Sequence, residues 1–149
     1  MKTDTPARDA IHKLNAPLPV HFIRRGETAW SLFGRHTGRT DLPLTAHGDS
    51  MAQGLAITLH DIPFSLVLTS PRLRARSTCT LAGLGAAAQV EPSLAEWDYG
   101  DYEGRRTAEI REHHPAWDVW ADGCPHGAFR VRPGDVALDA AAGAGGAGL

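Results

Sequence analysis

The sequence predicts an α/β fold: a three-layer sandwich with helices on both faces of an open, mainly parallel sheet. Two observations carry that expectation. Short β-prone runs alternate with longer segments of helical pattern, in the order strand, helix, strand, helix, strand. One of the runs, Ser-Leu-Val-Leu-Thr at 65–69, is continuously apolar rather than alternating, as a parallel strand covered on both faces would be.

Each element has its own local reason. Residues 1–18 form a polar lead-in. A first strand is expected at 20–23 (Val-His-Phe-Ile) and breaks at Arg24 and Arg25. Residues 28–40 carry Gly34 and Gly38 and read as a loop. Thr45 is a good N-cap for a helix over 46–60, with Met51, Leu55 and Leu59 at i, i+4, i+8 as its buried stripe. The strand at 65–69 follows. Ser70 and Pro71 then supply an N-cap and a first-position proline for a helix to about residue 84, closed by Gly83 and Gly85. A third strand is expected within 87–94. Residues 95–104 are a loop rich in acids and aromatics. Thr107 caps a short helix through Ile110, which stops near Pro115. A chain of 149 residues accommodates one domain with a real core, and residues 19–125 are assigned to it. Beyond Pro125 the periodicity fades, and 126–149 form an atypical tail ending in alanine and glycine.

Composition narrows the function classes. Apolar residues make up 42% and charged residues 21%, a globular balance. The net charge of −2 offers no global attraction to nucleic acid or to an anionic membrane, so any anion site is local. The longest apolar runs are too short to span a bilayer, and the N-terminus lacks an apolar signal-type core, which makes cytoplasm the default compartment. Cys79 and Cys124 read as free thiols rather than a disulfide or a zinc site. The oligomeric state is not legible.

In an open parallel sheet, ligands bind beyond the carboxyl ends of the strands. Three polar segments fall there in order: Arg-Arg-Gly-Glu-Thr at 24–28, Ser-Pro-Arg-Leu-Arg-Ala-Arg-Ser-Thr at 70–78, and Glu-Trp-Asp-Tyr-Gly-Asp-Tyr-Glu-Gly at 96–104. Taken singly, a surface arginine or an acidic loop is most simply a solvated feature. The order of the three is what points to a site.

Those segments resemble the motifs of the histidine phosphatase superfamily, which includes the phosphoglycerate mutases. IRRGETAW is similar to R-H-G-E-T-x-W, TSPRLRARST to S-P-x-x-R-A-x-x-T, and LAEWDYGDYEG to L-x-E-x-x-x-G-x-x-E-G. GRHTGRTDLPLTAHG resembles the loop and helix start that follow the first motif. Several phrases, DGCP among them, are closest to the sedoheptulose-bisphosphatase branch. The resemblance covers 20 to about 125. It implies a phosphomonoesterase acting on a sugar phosphate or bisphosphate through a phosphohistidine, with no metal or organic cofactor. Arg24 and Arg74 would grip phosphate, and Glu96 would be the acid/base carboxylate. Ser31, Thr37, Gly38, Trp97, Asp98 and Tyr99 would line the pocket. Arg72 and Arg76 would lie on a solvated helix face.

The residue types suit that chemistry. Phosphate monoesters hydrolyse extremely slowly unaided, so both a nucleophile and charge stabilisation are needed. Guanidinium groups bind phosphate oxygens in bidentate fashion, and a carboxylic acid protonates the departing alkoxide.

Two departures touch the chemistry. The nucleophilic histidine of the family falls on Arg25, which is protonated at all ordinary pH and has no lone pair for phosphorus. A second family histidine is expected in a late apolar strand before His-Gly. His126-Gly127 has the dipeptide but no strand before it, and His113 and His114 read as surface residues. The Ala-, Gly-, Arg- and Pro-rich text after Pro125 suggests a shifted reading frame in GC-rich DNA. The expectation is therefore an impaired phosphatase of low stability, with a phosphate-binding pseudoenzyme or a damaged gene product as the other readings.

Overall fold

The computed structural model describes residues 19–127. An extended segment over 19–27 leads into a helical turn, α1 (Ala29–Leu32), and then a long helix, α2 (Ala46–Leu59). Strand β1 (Val67–Thr69), helix α3 (Leu73–Leu81) and strand β2 (Ala88–Val90) follow. Two single 3₁₀ turns (Pro92–Leu94 and Gly100–Tyr102) precede the short helices α4 (Thr107–Arg111) and α5 (Val119–Asp122). β1 and β2 are parallel, with Val67 opposite Ala88 and Thr69 opposite Val90. A parallel pair needs a crossover, and α3 supplies it. The α/β class expected from the sequence is the one observed.

The expected first strand does not form among the described residues. Residues 20–23 join no sheet and lie exposed, Phe22 at 94%. A strand needs a neighbour's ladder as well as β-prone side chains. Within the described sheet β1 is paired only with β2. His21 instead meets Phe64 edge-to-face at 5.4 Å, beside the chain that enters β1.

Helix α2 starts as predicted. Thr45 Oγ1 accepts the Gly48 N–H at 3.0 Å. Its buried face is different: Gly48, Ala52 and Leu59 point inward, while Met51 is 54% exposed. The cause is Gly48, whose Cα lies so close to the Glu27 backbone that any Cβ there would overlap the Glu27 carbonyl. That contact sets the rotation of the helix. Ala52, small enough for close approach, is buried as α2 packs on α3.

Helix α3 begins later than Ser70-Pro71 suggests. Arg72 is its N-cap and remains extended, and the Leu73 N–H donates to Asp41 Oδ1 at 2.7 Å. A carboxylate from a distant loop thus supplies the cap expected of Ser70. The helix ends at Leu81, three residues early, and Gly83 follows at φ +80° in the left-handed region that favours glycine. In α4, Thr107 is the first helical residue rather than the cap, and the Arg106 N–H donates to Glu109 Oε2 at 2.9 Å. Residues 28–40, expected as loop throughout, contain α1. Tyr102, Ile110 and Trp117 form a buried cluster, with Tyr99, Val119 and Cys124 packed against it. Ile110 is fully buried, which contributes about 1.5–3 kcal/mol. The tail expectation falls largely on residues 128–149, outside the described residues.

Candidate active site

The turn at 24–28 is held to α3 by one hydroxyl. Gly26 N–H donates to Thr78 Oγ1 at 2.8 Å, and Thr78 Oγ1 donates to the Arg74 carbonyl at 2.7 Å. Thr78 follows Arg74 by one helical turn, so the helix that carries Arg74 also anchors the chain beside Arg25. Arg25 Nη1 donates to the Gly26 carbonyl at 3.0 Å. Glu27 faces the start of α2: its carboxylate accepts Thr45 Oγ1 at 2.7 Å and its carbonyl accepts Thr45 N–H at 2.9 Å. Thr28 is wholly buried and caps α1 reciprocally with Ser31.

Arg74 is 3% exposed, yet none of its partners is a carboxylate. Its Nη2 donates to the carbonyls of Thr37 and Gly38 and its Nη1 to that of Thr40, all at 3.0 Å. The loop at 37–40 wraps the guanidinium with its carbonyls and turns its amides the other way. Those amides meet Glu103: Gly38 N–H at 2.9 and 3.1 Å from the two carboxylate oxygens, and Thr40 N–H at 3.0 Å. Gly38 has to be glycine, because a Cβ would overlap the Trp97 carbonyl oxygen.

Charge concentrates around these residues. Burial lowers the pKa of Arg25, Arg24 and Arg74 lower it further, and Glu96 opposes them. Burial likewise lowers that of Arg74, with Glu96 acting against it. Arg24, Arg25, Arg74 and Glu96 therefore share one electrostatic neighbourhood. Tyr99 belongs to it as well. Burial first, then Glu96 and other anionic groups, push its phenol up to about 12, so it stays a neutral donor at ordinary pH.

The expected pocket residues divide by what they bond. Ser31 Oγ donates to the Thr28 carbonyl at 3.0 Å, and Thr37 Oγ1 to that of Arg35 at 3.1 Å. Gly38 is bonded to Arg74 and Glu103, and Asp98 pairs with Arg39 at 3.2 Å. These four build the site's frame. Glu96 is exposed and accepts the N–H of Trp97 at 2.9 Å. The Trp97 ring lies edge-on to Trp120 at 5.8 Å. Arg76 is exposed as expected, but Arg72 is not on a solvated face: it is half-buried, with Nη1 on the Arg39 carbonyl at 3.3 Å. The N-cap position turns it toward the 39–41 loop. His126 is exposed and lies 2.9 Å from Asp101.

Three structural residues escaped the sequence reading. Thr78 had a signal, its i+4 spacing from Arg74. Glu103 also had one, as the second Glu of the L-x-E-x-x-x-G-x-x-E-G segment, but a bare acid in an acidic loop reads as solvated. His36 lies in a loop and becomes meaningful only through its neighbours. Burial lowers its pKa, while Glu103 raises it.

The sequence pattern of the histidine phosphatase superfamily (branch 1) matches residues 20–142, past the Pro125 at which the motif resemblance ends. The chain belongs to this superfamily. An acid phosphatase of Mycobacterium tuberculosis is 45% identical over 122 residues, covering 80% of this chain and 60% of its own length. A sedoheptulose 1,7-bisphosphatase of Saccharomyces cerevisiae is 37% identical, covering 70% of this chain and 47% of its own. The crystal structure of the α-ribazole phosphatase from Shigella flexneri superimposes with a TM-score of 0.61 at 34% identity, over 70% of this chain and 56% of that one. The chain thus spans about half the length of these relatives. Identity is higher to the acid phosphatase than to the sedoheptulose bisphosphatase, so these likenesses show the superfamily without singling out the sedoheptulose-bisphosphatase branch. Among the described residues, no helix is long and apolar enough to cross a membrane.

Proposed function

We propose that this chain binds the phosphate of a small phosphate monoester, in the manner of its superfamily, but that Arg25 blocks covalent turnover. The supporting observation is the Gly26 N–H bond to Thr78 Oγ1, which holds the turn carrying Arg24 and Arg25 against the helix carrying Arg74. Arg24 and Arg25 supply donors to phosphate oxygens, and Arg74 supplies fixed positive charge behind them. Glu96 takes the place of the acid that protonates a departing alkoxide. The missing step is nucleophilic attack. Arg25 stands where the resemblance places the histidine, and a guanidinium cannot accept phosphorus and then release it to water. The likeness to a sedoheptulose 1,7-bisphosphatase supports sugar phosphates and bisphosphates as the first ligands to try.

The experiment measures phosphate release and binding separately, with p-nitrophenyl phosphate and fructose 1,6-bisphosphate. The expected result is saturable binding without release above background. Arg25→His alone is expected to restore little turnover, because the resemblance calls for a second histidine after an apolar strand, and His126-Gly127 follows a short helix and a turn instead. Turnover well above background that survives Glu96→Ala would overturn the assignment of the site. Strong rescue by Arg25→His would overturn the need for the second histidine.

A further inference from the structure

His36 is tied to its surroundings on every side. Its ring stacks on Tyr99 with centroids 4.7 Å apart and planes 29° apart, and it meets Trp117 edge-on at 5.5 Å. Its Nε2 lies 3.2 Å from Thr107 Oγ1, at the first residue of α4. Its N–H donates to the Arg105 carbonyl, and its own carbonyl accepts the Gly104 N–H, both at 2.8 Å. The next residues in the chain, Thr37 and Gly38, hold Arg74. Tyr99, stacked on the ring, comes two residues after Trp97, whose carbonyl lies against Gly38 of that same loop. One imidazole therefore joins the arginine-holding loop to the Tyr99 phenol.

We propose that His36 is a positioning residue of the site, which holds the Tyr99 phenol in place as a hydrogen-bond donor to the bound phosphate ester. The inference rests on the reading that this pocket holds such an ester. The physical argument is rotational. A tyrosine ring with an uncovered face can swing about its first side-chain torsion, and its hydroxyl sweeps several ångströms as it does so. The imidazole stack blocks that swing on one face, and the bond to Thr107 stops the imidazole itself from turning. A hydroxyl fixed in advance costs a ligand less ordering entropy than one that must be captured. His36 touches no ligand in this scheme and acts only through Tyr99.

A double-mutant cycle tests it on the full chain, by calorimetric titration with fructose 1,6-bisphosphate. His36→Gln keeps a partner for Thr107 and removes the ring. It is expected to weaken binding by about three- to tenfold, the range of one aromatic contact. His36→Phe keeps the ring and is expected to bind within about twofold of the wild type. In the Tyr99→Phe background, His36→Gln is expected to have no further effect on affinity. A residue of merely structural importance would lower the melting temperature without this coupling. An equal loss with and without the Tyr99 hydroxyl, or no loss at all, overturns the role of His36 while leaving the phosphate-binding reading intact. Absence of binding by the wild-type chain overturns that reading and this inference with it. Should His36→Gln fail to fold, His36→Leu with and without Tyr99→Phe gives the same comparison with the same outcomes.

Discussion

Replacing Arg74 by methionine removes a guanidinium and leaves its volume approximately filled. The structure indicates what that costs. The carbonyls of Thr37, Gly38 and Thr40 each lose their donor. Thr37 and Gly38 are buried, and Thr40 is half-buried and open to water as a substitute partner. Two orphaned carbonyls at about 1–3 kcal/mol each give about 2–6 kcal/mol. Part of this returns, because the buried guanidinium itself pays for desolvation, the effect that lowers its pKa. The expected net loss is about 2–4 kcal/mol, a large share of the roughly 5–15 kcal/mol that holds a typical domain. Urea unfolding followed by circular dichroism measures it. At a slope of about 2 kcal/mol per molar, the midpoint should fall by about 1–2 M at unchanged slope. Arg74→Lys should recover only a minor part, since a single ammonium cannot span carbonyls gripped by two guanidinium nitrogens. A midpoint shift below about 0.3 M for Arg74→Met would refute the reasoning, for the carbonyls would then have found other partners at no cost.

Two further outcomes follow from the same loop. Gly38→Ala pushes a methyl into the Trp97 carbonyl and strains the amide that Glu103 holds; a loss of about 1–3 kcal/mol in the same unfolding assay is expected. Acid should destabilise the fold through His36. Its folded pKa lies below the unfolded value near 6.5, so on acidification the unfolded chain takes up the proton first, and stability falls as pH drops below about 6.5 toward the folded pKa. The groups facing that ring are Tyr99, Trp117, Thr107 and the Glu103 carboxylate, which limits the shift. His36→Phe should flatten that part of a melting-temperature profile between pH 5 and 7.

How much of this could be read in the sequence depends on the range of the interaction. Caps and turns were legible where the partner is a few residues away. Thr45 bonds Gly48, and Gly83 takes the left-handed turn after α3. Where the partner is remote, the local reading failed. Asp41 caps α3 in place of Ser70, and Gly48 against Glu27 turns α2 so that Ala52 rather than Met51 faces inward. The segment at 20–23 has strand composition, but composition cannot supply a neighbouring ladder. In the site, the charged residues announced themselves through motif order. The residues that hold them were less legible: Glu103 stood in a motif without a readable role, and His36 differs from a surface residue only in what lies across from it.

The loop at 37–40 has one more consequence, and it is evolutionary. Arg74 and Glu103 never touch each other in the bonds described above. They grip opposite sides of one peptide unit, Thr37–Gly38, the first through its carbonyl and the second through its amide. Each charge polarises that peptide in the sense that strengthens the other's bond to it. Removal of either one leaves its opposite held by a weakened layer and without its counter-charge. The two positions are thus bound into a shared history. A lineage that gives up one should soon give up the other, and an alignment of distant relatives should show them changing as a pair although no bond joins them.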